Sequence, residues 1–214
     1  MDVPLSGMKD KRLVLPQPYL LFLGDITQKA FAKTAIGLAD WAADKCVGEF
    51  ALPQAQVSAG LSRMTPDQAV KAGAQSLVLG VANPGGVIPD TWRAALVGAL
   101  EAGLDIVSGL HTPLDSVAEL KMAAERNGRR LIDVRRPPLD IPVGTGRKRS
   151  GKRLLTVGTD CALGKKYTAL ALHQEFRRRN IPADFRATGQ TGIMIAGGGI
   201  PMDAVISDFE SGAA

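Results

Sequence analysis

The stretch Gly158-Thr159-Asp160-Cys161-Ala162-Leu163-Gly164-Lys165-Lys166 constrains this chain more than any other. Its G-x-x-x-x-G-K spacing is that of a loop that curls its backbone N–H groups around a phosphate. Gly158 and Gly164 stand at the two glycine positions, and Lys165 supplies a point charge. Such a loop belongs between a strand and a helix, because the helix adds its positive N-terminal end to the site. Both flanks are readable. Arg153 to Val157 is an apolar run suited to a buried strand. Lys165 to Arg178 carries Ala169, Leu170, Leu172 and Phe176 at helical spacing, and Arg177, Arg178 and Arg179 gather at the end that favours cations.

Lys166 departs from the pattern. A nucleotide hydrolase places a Ser or Thr hydroxyl here to hold magnesium, and an ammonium cannot do that. Thr168 lies about 200° further round the helix and does not replace it. The expected ligand therefore carries a pyrophosphate without a required metal, as coenzyme A does, and the second lysine adds charge against it.

Upstream of the loop, strand-like and helix-like segments alternate. After an irregular lead-in over residues 1–17, strands are expected at Tyr19–Gly24, Cys46–Phe50, Ser76–Gly80, Asp105–Ser108 and Arg130–Val134. Helices are expected at Phe31–Ala43, Pro66–Ala72, Pro89–Ala102 and Pro113–Asn127. The alternation implies an α/β fold with a parallel sheet covered by helices on both faces, a Rossmann-like domain over residues 1–136. Pro137, Pro138, Pro142, Gly144, Gly146 and Gly151 break the pattern and mark a linker over residues 137–151. The phosphate-loop domain follows over residues 152–214, with further strands expected at Ala183–Ala187 and Ala204–Ile206. About 64 residues are few for a sheet that needs several βα units, so the sequence reads as part of a longer protein whose second domain is incomplete here.

The composition, 45% hydrophobic and 22% charged, is globular. No apolar run is long enough to span a bilayer, and the first residues lack the apolar core of a signal peptide. Two cysteines are too few for a disulfide framework, which makes the cytoplasm the default. The net charge of +5 comes largely from Arg126 to Arg136 and Arg147 to Arg153. These runs lack interleaved aromatics and argue against nucleic-acid binding.

Ligands of open α/β sheets bind beyond the carboxyl ends of the strands. Gly24-Asp25, Asn83-Pro84-Gly85-Gly86, Gly109-Leu110-His111, Asp133 and Arg135 all fall there. Turn chemistry alone accounts for any one of them, and their convergence points to a second site facing the loop. Ala187-Thr188-Gly189-Gln190-Thr191-Gly192 reads as a glycine-rich loop on the same edge. In it Thr188, Gln190 and Thr191 offer neutral donors and acceptors, and Gly197-Gly198-Gly199 reads as its flexible continuation. Asp208, after Ala204-Val205-Ile206, stands where a metal-associated acid, a base or a helix cap would stand.

These residues together resemble a bacterial and archaeal family long labelled as of unknown function. Its members pair an N-terminal Rossmann-like domain with a C-terminal P-loop domain and include the DgcN-type D-glutamate N-acetyltransferases. The match rests on the loop, on Leu79 to Gly86, Gly109-Leu110-His111, Asp133-Val134-Arg135 and Ala187 to Gly192, and on Asp203-Ala204-Val205 and Asp208-Phe209. The resemblance implies acetyl transfer from acetyl-CoA to the amine of a D-amino acid, D-glutamate first, with a partner dehydrogenase consuming the N-acetyl product. In such a reaction Gly158 to Lys166 hold the pyrophosphate, and Arg147, Lys148 and Arg149 meet the 3′-phosphate. The base is sought among Asp160, Asp208 and His111, and Arg135 is placed to clamp a carboxylate. Cys161, set among small residues, reads as packing rather than as an acyl carrier. No metal is required. Self-association is expected from an incomplete sheet. Two other readings stay open: an ATP- and magnesium-dependent ligase or kinase, and a nucleotide-binding protein without catalysis.

Overall fold

The computed structural model describes residues 13–138, 140–148, 150–160 and 163–213. Its centre is a five-stranded sheet built from the most continuously apolar segments of the chain. The strands are β2 (Tyr19–Phe22), β3 (Cys46–Phe50), β4 (Ser76–Leu79), β5 (Asp105–Ser108) and β6 (Leu131–Asp133). They pair in the order β3-β2-β4-β5-β6, every pair parallel. Every residue of β2, β4 and β5 is buried, as expected of strands covered on both faces.

Two groups of helices cover the sheet. Helices α2 (Pro66–Lys71), α3 (Asp90–Glu101) and α4 (Ala118–Asn127) pack together. Helix α1 (Lys33–Trp41) packs instead against α6 (Gln190–Ala196). The expected helix at Pro113–Asn127 is split: a 3-10 turn over Leu114–Ser116 precedes α4. Trp92 of α3 meets Phe22 of β2 edge-on, with ring centres 5.4 Å apart, and only a glycine at position 24 leaves room for it. A Cβ there would lie 2.5 Å from the indole, and the backbone is left-handed at φ +57°. Asp25 accepts from the Trp92 indole at 2.7 Å and from the Thr91 hydroxyl at 2.9 Å. The Gly24-Asp25 pair is therefore occupied in seating α3.

The second half differs from its sequence reading in several places. Arg153–Val157 is not a strand: Leu154, Leu155 and Val157 are 63%, 79% and 79% exposed. Ala183–Ala187 and Ala204–Ile206 are not strands either, and a 3-10 turn covers Met202–Ala204. A strand exists only through a run of ladder bonds to a neighbour, and the contact of Ala187 O with Ile200 N, just past Gly199, at 3.2 Å does not extend into such a run. Helix α5 (Lys165–Arg178) forms as expected. The segment read as a glycine-rich loop becomes helix α6, because Ile193, Met194 and Ile195 bury against the sheet domain. Tyr19 Oη donates to Met194 O at 3.3 Å, and Lys45 Nζ to Ile195 O at 2.8 Å. Gly198–Gly199 is the short strand β7, antiparallel to β1 (Leu13–Val14) in the supposed lead-in, so it is no flexible continuation. Helix α7 (Ser207–Ala213) ends the described chain. Among the described residues no helix is long and apolar enough to cross a membrane.

Candidate functional site

Parallel strands deliver their carboxyl ends to one edge of a sheet. Beyond β4, β5 and β6 that edge bounds a half-open cavity of about 170 Å³. Asn83 and Gly86 follow β4, Gly109 and His111 follow β5, Arg135 follows β6, and Gln190 enters from the first turn of α6; all line it. No lining residue is an Asp or Glu. The first two loops lock together through the backbone: His111 N and Thr112 N both donate to Gly86 O, at 2.8 and 3.0 Å. A Cβ at Gly86 would come within 2.6 Å of the His111 ring. Asp133 fixes the His111 loop from the other side. Its carboxylate oxygens accept from Leu114 N at 3.2 Å, and Arg136 Nε lies 3.4 Å away. Burial pushes the Asp133 pKa up, against the pull of that amide and of Arg136.

Arg135 joins the two halves of the chain. Its Nε donates to Gly109 O at 2.7 Å, and its Nη1 pairs with Asp203 in the 3-10 turn over Met202–Ala204. With the Gln190 amide turned so that its oxygen faces Arg135, Nη2 donates to that oxygen at 2.9 Å and the amide nitrogen donates to Gly109 O. The guanidinium is thus held on three sides, and one of its partners is already a carboxylate.

The phosphate loop leads into α5, whose Lys166 approaches Gly192 of α6. Cys161 and Ala162 lie outside the described residues, as does Arg149. Gly164 caps α5 in a left-handed conformation at φ +94°, which turns the chain from loop to helix. The first-turn N–H groups of α5 are left without intrahelical partners, as at any helix start. Lys165 Nζ donates to Asp160 O, so the loop closes on its own lysine. Leu163 is exposed. Lys166 turns elsewhere: its Nζ stands 4.2 Å over the Tyr167 ring, and its Cδ would lie 3.8 Å from a Cβ at Gly192 of α6. Burial pulls its pKa down to about 8. Gly192 and Gln190 are two positions apart on α6, about 200° around the axis. One turn of α6 is therefore sandwiched between Lys166 and the cavity.

Of the sequence candidates, the structure brings His111, Arg135 and Gln190 together. Thr191 faces α1 instead, 3.2 Å from the Thr34 hydroxyl. Thr188 is exposed, and its carbonyl accepts from Met202 N at 3.0 Å. Asp160 remains with the loop, and Asp208 is exposed in the first turn of α7; neither lines the cavity. Asp203 has a site contact that its sequence position, 68 residues from Arg135, did not reveal. Among the described residues no group of three or more His, Cys, Asp or Glu is placed to hold a metal ion.

A family described as "Domain of unknown function (DUF1611_N) Rossmann-like domain" matches residues 44–137. Its companion, "Domain of unknown function (DUF1611_C) P-loop domain", matches residues 142–214. Two curated relatives carry the name D-glutamate N-acetyltransferase. The protein from Tritonibacter scottomollicae is 52% identical over 93% of this chain, and that from a Pseudoalteromonas species is 49% identical over 92%. The chain spans 60% and 59% of their respective lengths. The crystal structure of a DUF1611 family protein from Anabaena variabilis matches with a TM-score of 0.76 and 36% identity, over 92% of this chain and 60% of that one. With a Rossmann-like and a P-loop domain in the same order, and with relatives this similar along nearly its whole length, the chain belongs to the DUF1611 family.

Proposed function

We propose that this chain carries the acceptor pocket and the phosphate loop of an N-acetyltransferase that moves acetyl from acetyl-CoA to the amine of a D-amino acid, with D-glutamate as the acceptor. The observation that carries the reading is the cavity where His111, Arg135 and Gln190 converge from three separate segments. A volume of about 170 Å³ suits a small polar molecule and is below the usual range for a nucleotide or a whole cofactor. The names of the two relatives support the choice of reaction and acceptor.

The residues divide into two groups. Gly158, Gly164, Lys165 and the first turn of α5 offer N–H groups and a cation to the pyrophosphate of the donor, which supplies an activated acetyl thioester. Arg147 and Lys148, both exposed, are at hand for its 3′-phosphate. In the cavity, His111 takes the proton from the acceptor ammonium. The freed amine nitrogen bonds to the acetyl carbon as the thioester C–S bond breaks, and the sulfur leaves as a thiol after taking up a proton. Arg135 orients an acceptor carboxylate that competes with Asp203 for Nη1. The N-acetyl product is a fit substrate for a dehydrogenase acting next.

Thiol release from acetyl-CoA, followed with a thiol reagent across a panel of D- and L-amino acids, tests the reading. D-glutamate is expected to give the fastest release. Lys165→Ala is expected to raise the KM for acetyl-CoA by roughly tenfold or more through loss of a charge-assisted contact. Release that never exceeds hydrolysis while ATP with magnesium turns over overturns the proposal in favour of a nucleotide-dependent enzyme.

A further inference from the structure

Gly109 O accepts from two donors at once. Arg135 Nε donates to it at 2.7 Å, and so does the Gln190 amide nitrogen once that amide is turned to suit its neighbours. The turned amide also offers its oxygen to Arg135 Nη2 at 2.9 Å. The opposite orientation sets oxygen against oxygen and nitrogen against nitrogen, so the neighbours fix the amide. The three groups close a ring of hydrogen bonds. The bare Gly109 Cα is what admits the amide: a Cβ there would lie 3.0 Å from Gln190 Cδ and 3.1 Å from its Cβ. Gln190 is itself held in place by the rest of α6. Ile193, Met194 and Ile195 are buried, and Tyr19 and Lys45 donate to the Met194 and Ile195 carbonyls.

We infer that Gln190 is a positioning residue of the acceptor pocket: acting through Arg135, it sets the guanidinium that receives the acceptor's carboxylate. The inference rests on the proposed acetyl transfer and deepens it by naming what fixes the clamp. A guanidinium carries five N–H bonds. Among the described residues Gly109, Gln190 and Asp203 take one each, which leaves one on each terminal nitrogen for a ligand. An arginine loses rotamer freedom when it grips a ligand, and a side chain that holds it beforehand lowers that cost. The holder has to be neutral. Asp203 already brings one carboxylate to the guanidinium. A second, in place of the Gln190 amide, would cancel the attraction for an anionic ligand and press a charged oxygen on Gly109 O.

Calorimetric titration with D-glutamate tests this on the unsubstituted chain, on Gln190→Met, Gln190→Glu and Arg135→Lys, and on the chain with both Arg135→Lys and Gln190→Met. Gln190→Met, which keeps the volume and loses both hydrogen bonds, is expected to weaken binding roughly tenfold. Gln190→Glu is expected to weaken it further, on the order of a hundredfold. With Arg135→Lys the forked partner is gone, and adding Gln190→Met is expected to change affinity by less than about twofold. In the thiol-release assay Gln190→Met is expected to raise the KM for D-glutamate and to leave kcat within about threefold. Circular dichroism identifies a variant that fails to fold, in which case the other Gln190 variant decides. Unchanged affinity in Gln190→Met overturns the inference. So does an equal loss with and without Arg135→Lys, or a fall in kcat at unchanged KM. In each case thiol release by the unsubstituted chain leaves the acetyl-transfer reading intact. D-glutamate binding that follows the expected pattern without thiol release upholds the clamp and overturns acetyl transfer. Absence of both binding and release overturns the two together.

Discussion

At the scale of single residues, Lys166 shows how a side chain can leave the role its motif assigns it. It stands one position past the loop lysine, yet it points to the Tyr167 ring and Gly192 of α6. Half-burial without a carboxylate beside it pulls its pKa from an ordinary 10.5 to about 8. Between those values the unfolded chain binds more protons than the folded one, so stability from this group rises with pH across that window. Below pH 8 the buried ammonium opposes folding in full; above 10.5 the lysine is neutral in both states and the opposition is gone. Lys166→Met keeps the stem's packing and removes the charge. It is expected to raise Tm on the order of 2 °C at pH 7 and by a vanishing amount near pH 10.5, read by thermal melts of both proteins across that range. A variant that melts lower at pH 7 would mean that the cation over the Tyr167 ring outweighs its desolvation.

At the scale of elements, the turn at Pro84–Gly86 sets the position of His111, and its two glycines separate backbone strain from crowding. Gly85 and Gly86 are both left-handed, at φ +73° and +56°. A Cβ at Gly85 meets only Val87 Cγ1 at 3.6 Å, whereas one at Gly86 meets the His111 ring at 2.6 Å and its backbone nitrogen at 2.9 Å. Gly85→Ala is expected to cost about 1 kcal/mol in urea unfolding and to spare activity. Gly86→Ala is expected to cost about 3 kcal/mol and to lower kcat at least tenfold by displacing His111. Equal costs would remove the contact with His111 as the reason for the glycine. The same elements show what was legible in the chain. β2, β4 and β5 read correctly because burial on both faces leaves an unbroken apolar run. Leu154, Leu155 and Val157 make a similar run and form no strand, since pairing is a property of neighbours and not of the run. Ala187 to Gly192 read as a loop because of Gly189 and Gly192, and burial of Ile193 to Ile195 turned its end, from Gln190 on, into helix α6. In the site, His111 and Arg135 followed from the rule that strand ends gather on one edge, whereas Gln190 reaches the cavity from α6 and not from the end of the strand expected at Ala183–Ala187. The Asp203 contact did not, because nothing local records a pairing made across the fold.

At the scale of the whole molecule, stability is unevenly spread. The sheet and its helices hold nearly every fully buried large side chain, from Tyr19 through Leu104. Helix α5 has 14 residues and one buried side chain, Leu170, and its other anchor is Tyr167 stacked on Trp41 with ring centres 5.8 Å apart. A helix held by so little apolar contact opens far more often than the sheet it leans on, since local opening costs only what local burial provides. The phosphate loop hangs from the first turn of that helix, so its ligand meets a mobile half of the site against a rigid one. Amide hydrogen exchange followed by mass spectrometry is expected to deuterate α5 on the order of a hundredfold faster than β2, β4 and β5. Leu170→Ala, which removes the one buried anchor, is expected to speed α5 further without changing the sheet. Acetyl-CoA at saturation is expected to slow exchange in the first turn, Lys165 to Thr168, because binding to the folded form alone lowers the open population. If α5 is as protected as β4 before any ligand is added, the helix is held by contacts that its burial does not account for. A ligand that slows the sheet and not the helix would place the anion away from the loop.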